Sequence, residues 1–414
     1  MSKLLIKHPT KHINGTIVLP ASKSINNRLL VLQQLIGAPN FIEQSSTSED
    51  TQLMERALAQ GDGIINVNHA GTCLRFLTAY FACKPGCEVV LQGSERLHQR
   101  PMETLVNALN QLGADITYIN KKGFAPLRIK GKQLHGGTVS LDASVSSQFV
   151  SALMLIAPVL TSELTIKQLG KVVSKPYVLI TAALLQQVGV TCSIEQDVVI
   201  KPFVKASDDK LAIAVERDWS GAGFWFAMAA LAKQCNLQLS NLSMQSIQGD
   251  KMVASFMESF GVSCTSTHQG ILLKHQQTTL SKAYFDMLDY PDLVPPMAVA
   301  MCGLNIPAVF TNVANLQVKE SKRLTALCNE LNQCGFKVSH TANDLVIQSV
   351  NQEQINMPDF FNTYNDHRMA MSFAILALKS GAVVIKDAHV VEKSYPGFWD
   401  DLKQAGFEVE TIDD

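Results

Sequence analysis

No stretch of this sequence offers the roughly 20 consecutive apolar residues that a membrane-spanning helix requires. The longest apolar runs, near 150–160 and 222–232, read instead as buried helices. The chain also lacks any C-x-x-C pair. Its nine cysteines are scattered, and the close couple Cys83 and Cys87 has no histidine at zinc-ligand spacing. Reduced thiols are therefore expected, with no metal and no cofactor. There is no excess of charge of either sign: 35 Lys and Arg stand against 36 Asp and Glu, for a formal net charge of −1. Neither nucleic acid nor a membrane surface is thus an expected partner. The first residues, MSKLLIKHPTKH, hold no sustained apolar core, which argues against a signal peptide and for a cytoplasmic location.

What is present is a large globular chain. Its 414 residues exceed one ordinary domain, and a composition of 47% hydrophobic and 17% charged residues supports extensive cores. One pattern recurs: a helix tail, a glycine, then a short apolar strand. It reads LNQLGADI, LLQQVGVTCSI, FMESFGVSC, LNQCGFKV and DLKQAGFEV, at Gly113, Gly189, Gly261, Gly335 and Gly406. The separations are 76, 72, 74 and 71 residues, and ALAQGDGIINV supplies a looser copy at Gly61. Each glycine fits the left-handed helix stop. Five echoes at near-constant spacing imply six α/β modules of about 69 residues, three in each of two lobes. No Pro/Gly/Ser-rich linker separates the lobes, so short crossovers are expected to join them.

The polar residues gather where helices begin. In LPASKSINNR, a β-branched strand over 13–19 gives way to Ile25, Leu29, Leu32 and Ile36 at helical spacing. Ser22, Lys23 and Ser24 then occupy the first turn, with Arg28 one turn beyond Ser24. Unpaired backbone N–H groups, the helix dipole, hydroxyls and two cations suit a phosphate or carboxylate there. The plainer alternative is a capped helix with surface charges.

Similar clusters follow. HAGTCLR places Gly71, a capping Thr72 and Arg75 before an apolar helix, and SERLHQRPM sets Arg100 before Pro101 at a helix mouth. Ser146, Ser147 and Gln148 open a long apolar helix and suit a polyol or phosphate, or simply a serine-rich cap. Ser174, with Tyr177 as a possible hydroxyl contact, opens another. Asp218 reads as a cap on a buried helix. Asp292, between prolines, has the restricted backbone that a fixed general base or a cap requires. Lys319 and Arg323 flank Glu320 at helical spacing, beside Asn315 and Gln317, which reads as a solvated helix face or as part of a site. Asp366, His367 and Arg368 precede an apolar helix over 369–378, and Lys393 lies in the last module. Cations at 23, 28, 75, 100, 319, 323, 368 and 393 thus come from both halves, as one shared anion site would require.

Taken together, LPASKSINNR, HAGTCLR, QRPM, SVSSQF, SKPY, YPD, VKESKR and NDHRMAM resemble the 5-enolpyruvylshikimate-3-phosphate synthase family in order and spacing over essentially the full chain. The resemblance implies the two-lobed enolpyruvyl-transferase fold, an inside-out α/β barrel of six βαβαββ repeats. One lobe would be 19–217 and the other 1–18 plus 218–414. It implies a monomeric transferase acting on shikimate 3-phosphate and phosphoenolpyruvate. By motif, Lys23, Ser24, Arg28, Ser146, Ser147, Gln148, Ser174, Tyr177, Asp292, Asn315 and Lys319 would hold the first. Lys23, Gly71, Arg100, Gln148, Arg323, Arg368 and Lys393 would hold the second. Asp292 would accept the hydroxyl proton, Glu320 would serve the enol carbon, and Lys23 would be shared. Gln317, Lys322 and Phe76 depart from the Arg, Asp and Pro common in the family, and loss of an Asp at 322 bears on how Arg323 is oriented. UDP-N-acetylglucosamine enolpyruvyl transferase is the rival enzyme, though Lys23 is followed by Ser24 rather than Asn, and Cys73 lies outside a reactive loop. A non-catalytic ligand-binding paralogue is the other alternative, and it would need neither Asp292 nor Glu320.

Overall fold

The structure is a computed structural model that describes residues 3–37, 41–203, 212–278 and 280–412. The chain divides into two compact units, Ala21–Val215 and Met1–Pro20 with Glu216–Asp414. The crossovers are single chain passages at 20–21 and 215–216, without an intervening linker.

One sheet pattern repeats through both units. In Ala21–Val215, strand Gly63–Asn66 runs parallel to Glu88–Gln92, which pairs antiparallel with Leu127–Lys130, itself antiparallel to Asp115–Tyr118. The order recurs with Gly137–Asp142, Leu164–Leu169, Val198–Ile200 and Cys192–Ile194. In the other unit it recurs with His12–Ile17, Gln234–Ser240, Gly270–His275 and Val262–Thr267. It recurs again with Ala283–Asp286, Ala308–Thr311, Leu345–Gln348 and Lys337–His340. A fifth copy is assembled from both chain ends. Phe361 bridges in parallel to Ile385 of Ala382–Lys386, which pairs with Lys3–Lys7, and that strand pairs with Glu408–Ile412. Among the described residues the sixth copy is reduced to the parallel pair Ile42–Glu43 and Ile213–Ala214.

The repeated glycines do what the pattern predicts. Gly61, Gly113, Gly189, Gly261, Gly335 and Gly406 all have φ between +73° and +96°, and a strand follows each within a few residues. Burial explains the inside-out arrangement. Strands such as Leu127–Lys130 and Gly137–Asp142 alternate buried and exposed side chains, so each sheet turns one face to solvent. The helices between are apolar on nearly every side. In Trp219–Leu231 only Ser220 and Leu231 escape full burial, and every residue but Leu304 in Val294–Leu304 is buried. Val294–Leu304 packs against both Trp219–Leu231 and His367–Ala374. In Ala21–Val215 the corresponding trio is Lys23–Ile36, Gly71–Ala82 and Ser147–Ile156. Each trio takes one helix from each module, and LPASKSINNR, HAGTCLR, SVSSQF, YPD and NDHRMAM lie at their N-termini.

Several element boundaries differ from expectation. The first strand of LPASKSINNR ends at Ile17, and Ser22 is the N-cap of Lys23–Ile36. Thr72 does not cap its helix, because the helix starts at Gly71 with Ala70 as N-cap. Pro101 lies outside its helix, which runs Glu103–Gln111. The stretch 369–378 splits into His367–Ala374 and Ala377–Ser380. Asp218 is the cap that the sequence suggested, accepting from Gly221 N at 3.0 Å.

Two of the repeat glycines differ in surroundings, which separates backbone strain from crowding. A Cβ at Gly113 would meet nothing nearer than His135 Cδ2 at 4.0 Å, whereas one at Gly335 would lie 2.5 Å from the Gln354 carbonyl oxygen. Gly113→Ala should therefore cost about 1–2 kcal/mol, the left-handed penalty alone. Gly335→Ala should add roughly 1–3 kcal/mol of overpacking. Urea denaturation of the two variants checks the difference, and equal losses would contradict it.

Candidate active site

In Ala21–Val215 the polar side chains cluster at the starts of the three central helices. Lys23, first residue of its helix, forms an ion pair with the buried Asp50 at 2.9 Å. Asp50 escaped the sequence reading because SSTSED looks like an ordinary helix start, with Ser48 capping and acids in the first turn. Arg28 is buried rather than displayed. Its Nε donates to Thr181 Oγ1 at 2.7 Å and its Nη1 to the Ser24 carbonyl at 2.6 Å. Nη2 donates to Ser151 Oγ and to the Tyr177 carbonyl, each at 3.2 Å. Four of its five N–H groups thus serve its own unit, where it ties the Ser24 turn to the Tyr177 turn. Burial lowers its pKa to about 10, with no carboxylate among its hydrogen-bond partners. Phe76, one of the family departures, sets its ring 5.1 Å from this guanidinium.

Gly71 opens its helix beneath two guanidiniums. A Cβ there would collide with Arg100 and would lie 3.0 Å from Arg75 Nη1. Arg75 in turn donates to the Gly71 and Pro101 carbonyls at 3.1 and 3.3 Å, and both arginines are buried. Thr72 accepts from Gln148 Nε2 at 3.2 Å, so the starts of two central helices meet side by side. Ser146 caps the second of them, accepting from Gln148 N at 3.2 Å, and Ser147 beside it is buried. Gln148 Oε1 and Ser22 Oγ are buried without a hydrogen-bond partner among the described residues, which suits groups awaiting a polar ligand. Ser174 caps Lys175–Gln187 with φ +55°, and Tyr177 N bonds its carbonyl at 3.1 Å. A left-handed non-glycine residue at this position carries strain of the kind found at ligand sites.

The other unit contains the acids. Arg323, one per cent exposed, begins helix Arg323–Gln333 and reaches three carboxylates. Its Nη1 donates to Asp292 Oδ1 at 2.9 Å and its Nη2 to Glu320 Oε2 at 2.9 Å. Nε and Nη2 donate to the two oxygens of Asp366 at 2.8 and 3.2 Å. Arg368 donates to Asp292 Oδ2 at 2.9 Å and to its carbonyl at 3.3 Å. Lys393 Nζ, also buried, lies 3.7 Å from Glu320 Oε1. Asn315 sits on the 3-10 turn Ala314–Val318, with its Oδ1 buried and unpartnered among the described residues, and half-buried Lys319 follows. The 319–323 charge run is therefore a turn leading into a helix, not a helix face.

The electrostatics follow from this packing. Burial would raise the Asp292 carboxyl, but Arg368, Lys319 and Arg323 outweigh it and hold Asp292 well below the usual carboxylate range. Burial opposes the charge on Arg323 as well. Asp366, Glu320 and Asp292 reverse that and push its pKa up. Asp366 was legible only as part of NDHR. It accepts from Ser321 Oγ at 2.9 Å and caps His367–Ala374 through Arg368 N at 3.0 Å. Together with Asp292 and Glu320 it orients Arg323 in a chain whose residue 322 is an exposed lysine.

Buried cations at helix starts, beside two partly exposed carboxylates, make a candidate enzyme site suited to multiply charged anions and proton transfer. The comparisons agree with that class. A family model described as EPSP synthase (3-phosphoshikimate 1-carboxyvinyltransferase) matches residues 56–402. A 3-phosphoshikimate 1-carboxyvinyltransferase of Bacteroides fragilis is 40% identical over 409 residues, covering 98% of each chain. One from Haemophilus influenzae is 33% identical over 427 residues, covering 96% of this chain and 97% of its own. The solved structure of EPSP synthase from Acinetobacter baumannii shares the fold, with a TM-score of 0.78 at 21% identity over the full length of both chains. The chain belongs to the EPSP synthase family.

Replacing Arg323 with Met should leave three buried or part-buried carboxylates without their shared cation, costing about 3–5 kcal/mol at neutral pH. The pH dependence between 7 and 5 should then differ, flat from this source in the native protein and sloping in the variant. In the native protein the depressed Asp292 pKa contributes stability above its unfolded value of about 3.8, lost as pH falls through the folded value. In the variant the carboxylates titrate upward, so stability should rise as pH drops from 7 to 5. Melting curves at both pH values distinguish the two.

Proposed function

We propose that this protein, a transferase, moves the enolpyruvyl group of phosphoenolpyruvate to the 5-hydroxyl of shikimate 3-phosphate, releasing inorganic phosphate. Family membership supports the reaction. The observation that carries the residue assignment is the cluster in which Arg323 holds Asp292 and Glu320 together, with Arg368 and Lys393 alongside.

Shikimate 3-phosphate is assigned to Lys23, Ser24, Ser146, Ser147, Gln148, Ser174, Tyr177, Asn315 and Lys319, with Asp292 at its 5-hydroxyl. Arg28 belongs to the same set chiefly through the Ser24 and Tyr177 carbonyls that it fixes. Phosphoenolpyruvate is assigned to Lys23, Gly71, Arg100, Gln148, Arg323, Arg368 and Lys393. Its phosphate and carboxylate require several cations, which act strongly only where water is excluded.

In the reaction, the 5-hydroxyl oxygen bonds to C2 of the enol as its proton passes to Asp292. Glu320 delivers a proton to C3, giving a tetrahedral ketal. The C2–O bond to phosphate then breaks, the C3 proton returns to Glu320, and the enol double bond re-forms. The ion pairs of Asp292 bear on timing. Asp292 is a weak base while Arg323 and Arg368 hold it. An incoming carboxylate or phosphate that draws those guanidiniums off raises its basicity at the moment it is needed.

The remaining readings are that the enzyme acts as a monomer in the cytoplasm. None of the nine cysteines forms a disulfide among the described residues, and eight are buried, as a reducing compartment allows. Among the described residues no helix is long and apolar enough to cross a membrane.

Purified protein should release phosphate from phosphoenolpyruvate only when shikimate 3-phosphate is present. Turnover with UDP-N-acetylglucosamine instead would select the rival transferase, and silence with both acceptors would select a binding protein. Asp292→Asn and Glu320→Gln should each lower kcat at least 100-fold, and Asp292→Asn, which forfeits the ion pairs to Arg323 and Arg368, should also lower the melting temperature at neutral pH.

A further inference from the structure

Glu330 is fully buried, yet every donor that reaches it is neutral. Its Oε2 accepts from Asn362 N at 3.0 Å, and its Oε1 accepts from Asn362 Nδ2 at 3.3 Å and from the Tyr364 hydroxyl at 2.6 Å. Among the described residues no Lys, Arg or His forms an ion pair with it. A buried carboxylate without a cation is costly, so its three hydrogen bonds must fix something the fold would otherwise lose.

They fix the turn that launches Arg368. Tyr364 and Asn365 are consecutive non-glycine residues in the left-handed region, with φ of +55° and +53°. Such a pair persists only where its surroundings impose it. The turn is held at both ends from a single helix. Glu330 lies seven residues after Arg323 on Arg323–Gln333, two turns along the same face. Arg323 grips Asp366 at the far end of the turn while Glu330 grips Asn362 and Tyr364 at the near end. Asp366 closes the turn by donating its N–H to the Thr363 carbonyl at 2.9 Å, then caps the helix that carries Arg368 to Asp292. The Tyr364 ring is partly exposed, but its hydroxyl is committed inward. Desolvation and the bond to Glu330 push that hydroxyl up to about 12, so it remains a donor throughout the neutral range.

We infer that Glu330, through Asn362 and Tyr364, is a positioning residue that sets where Arg368 and Arg323 present their guanidiniums to phosphoenolpyruvate. This rests on the substrate assignment proposed above. Neither Glu330 nor Tyr364 is placed at the substrates themselves.

The test compares full-length wild type, Tyr364→Phe, Glu330→Gln and the double variant. Gln at 330 keeps an acceptor for Tyr364 but turns an NH2 group toward the Asn362 N–H. Phe at 364 removes one hydroxyl from a partly exposed ring. Each single variant should raise KM for phosphoenolpyruvate at least fivefold, with KM for shikimate 3-phosphate changed less than twofold. The double variant should be no worse than the poorer single one, because both act through one turn. A lower melting temperature with an unchanged KM for phosphoenolpyruvate would overturn the inference, as would an equal rise in both KM values. If Glu330→Gln does not fold, Tyr364→Phe decides alone by the same criteria. A wild type without turnover would refute the proposed reaction instead. Calorimetric titration with phosphoenolpyruvate in the presence of shikimate 3-phosphate would then read the same wild-type-to-variant affinity ratio.

Discussion

A single buried guanidinium, that of Arg323, gathers Asp292, Glu320 and Asp366, three carboxylates that come from three separate turns. Without it, three negative charges would stand close together in a poorly hydrated place, a costly arrangement. With it, two are aimed by one guanidinium, and the third caps the helix of Arg368. The geometry of acids and cations alike therefore follows from one side chain. Arg368, Lys319 and Lys393 add three further cations to the cluster, in a chain whose formal net charge is −1. The protein attracts anions by local arrangement, with composition contributing nothing.

The other unit solves the same problem differently. Lys23, Arg28, Arg75 and Arg100 lie near helix starts, Lys23 pairs with Asp50, and Arg28 is stabilised by carbonyls, hydroxyls and the Phe76 ring. Carbonyl oxygens offset the burial of a guanidinium only in part, which is why its affinity for its proton drops. One unit thus stores its cations against carboxylates that must let go. The other holds Arg28 against neutral dipoles.

The repeat was legible because each module must stop a helix and start a strand in very few residues, and only glycine does this without strain. The φ values at Gly113, Gly189, Gly261, Gly335 and Gly406 match what that spacing demanded. The reduction of the sixth sheet to Ile42–Glu43 and Ile213–Ala214 was not legible, since glycine spacing says nothing of strand length. Within the site, the sequence located the helix starts but not the partners across them. Asp50 lies 27 residues from Lys23 and Glu330 lies 32 from Asn362, and each sits in a stretch that reads as routine helix. Asp366 stood in plain view beside Arg368, yet its use depends on Arg323, 43 residues away. Periodicity reports which face is buried, but long-range ion pairs arise only once the modules pack.

The last sheet has its inner strand supplied by the first residues of the chain: Lys3–Lys7 lies between Ala382–Lys386 and Glu408–Ile412. The partners of Lys3–Lys7 lie hundreds of residues away, so pairing it closes a very long loop. Ala21–Val215 holds all its own strand partners and can complete its sheets while translation continues. The unit that carries Asp292, Glu320 and Arg368 completes its last sheet only through that long-range pairing, so its closure waits on contacts far apart in sequence.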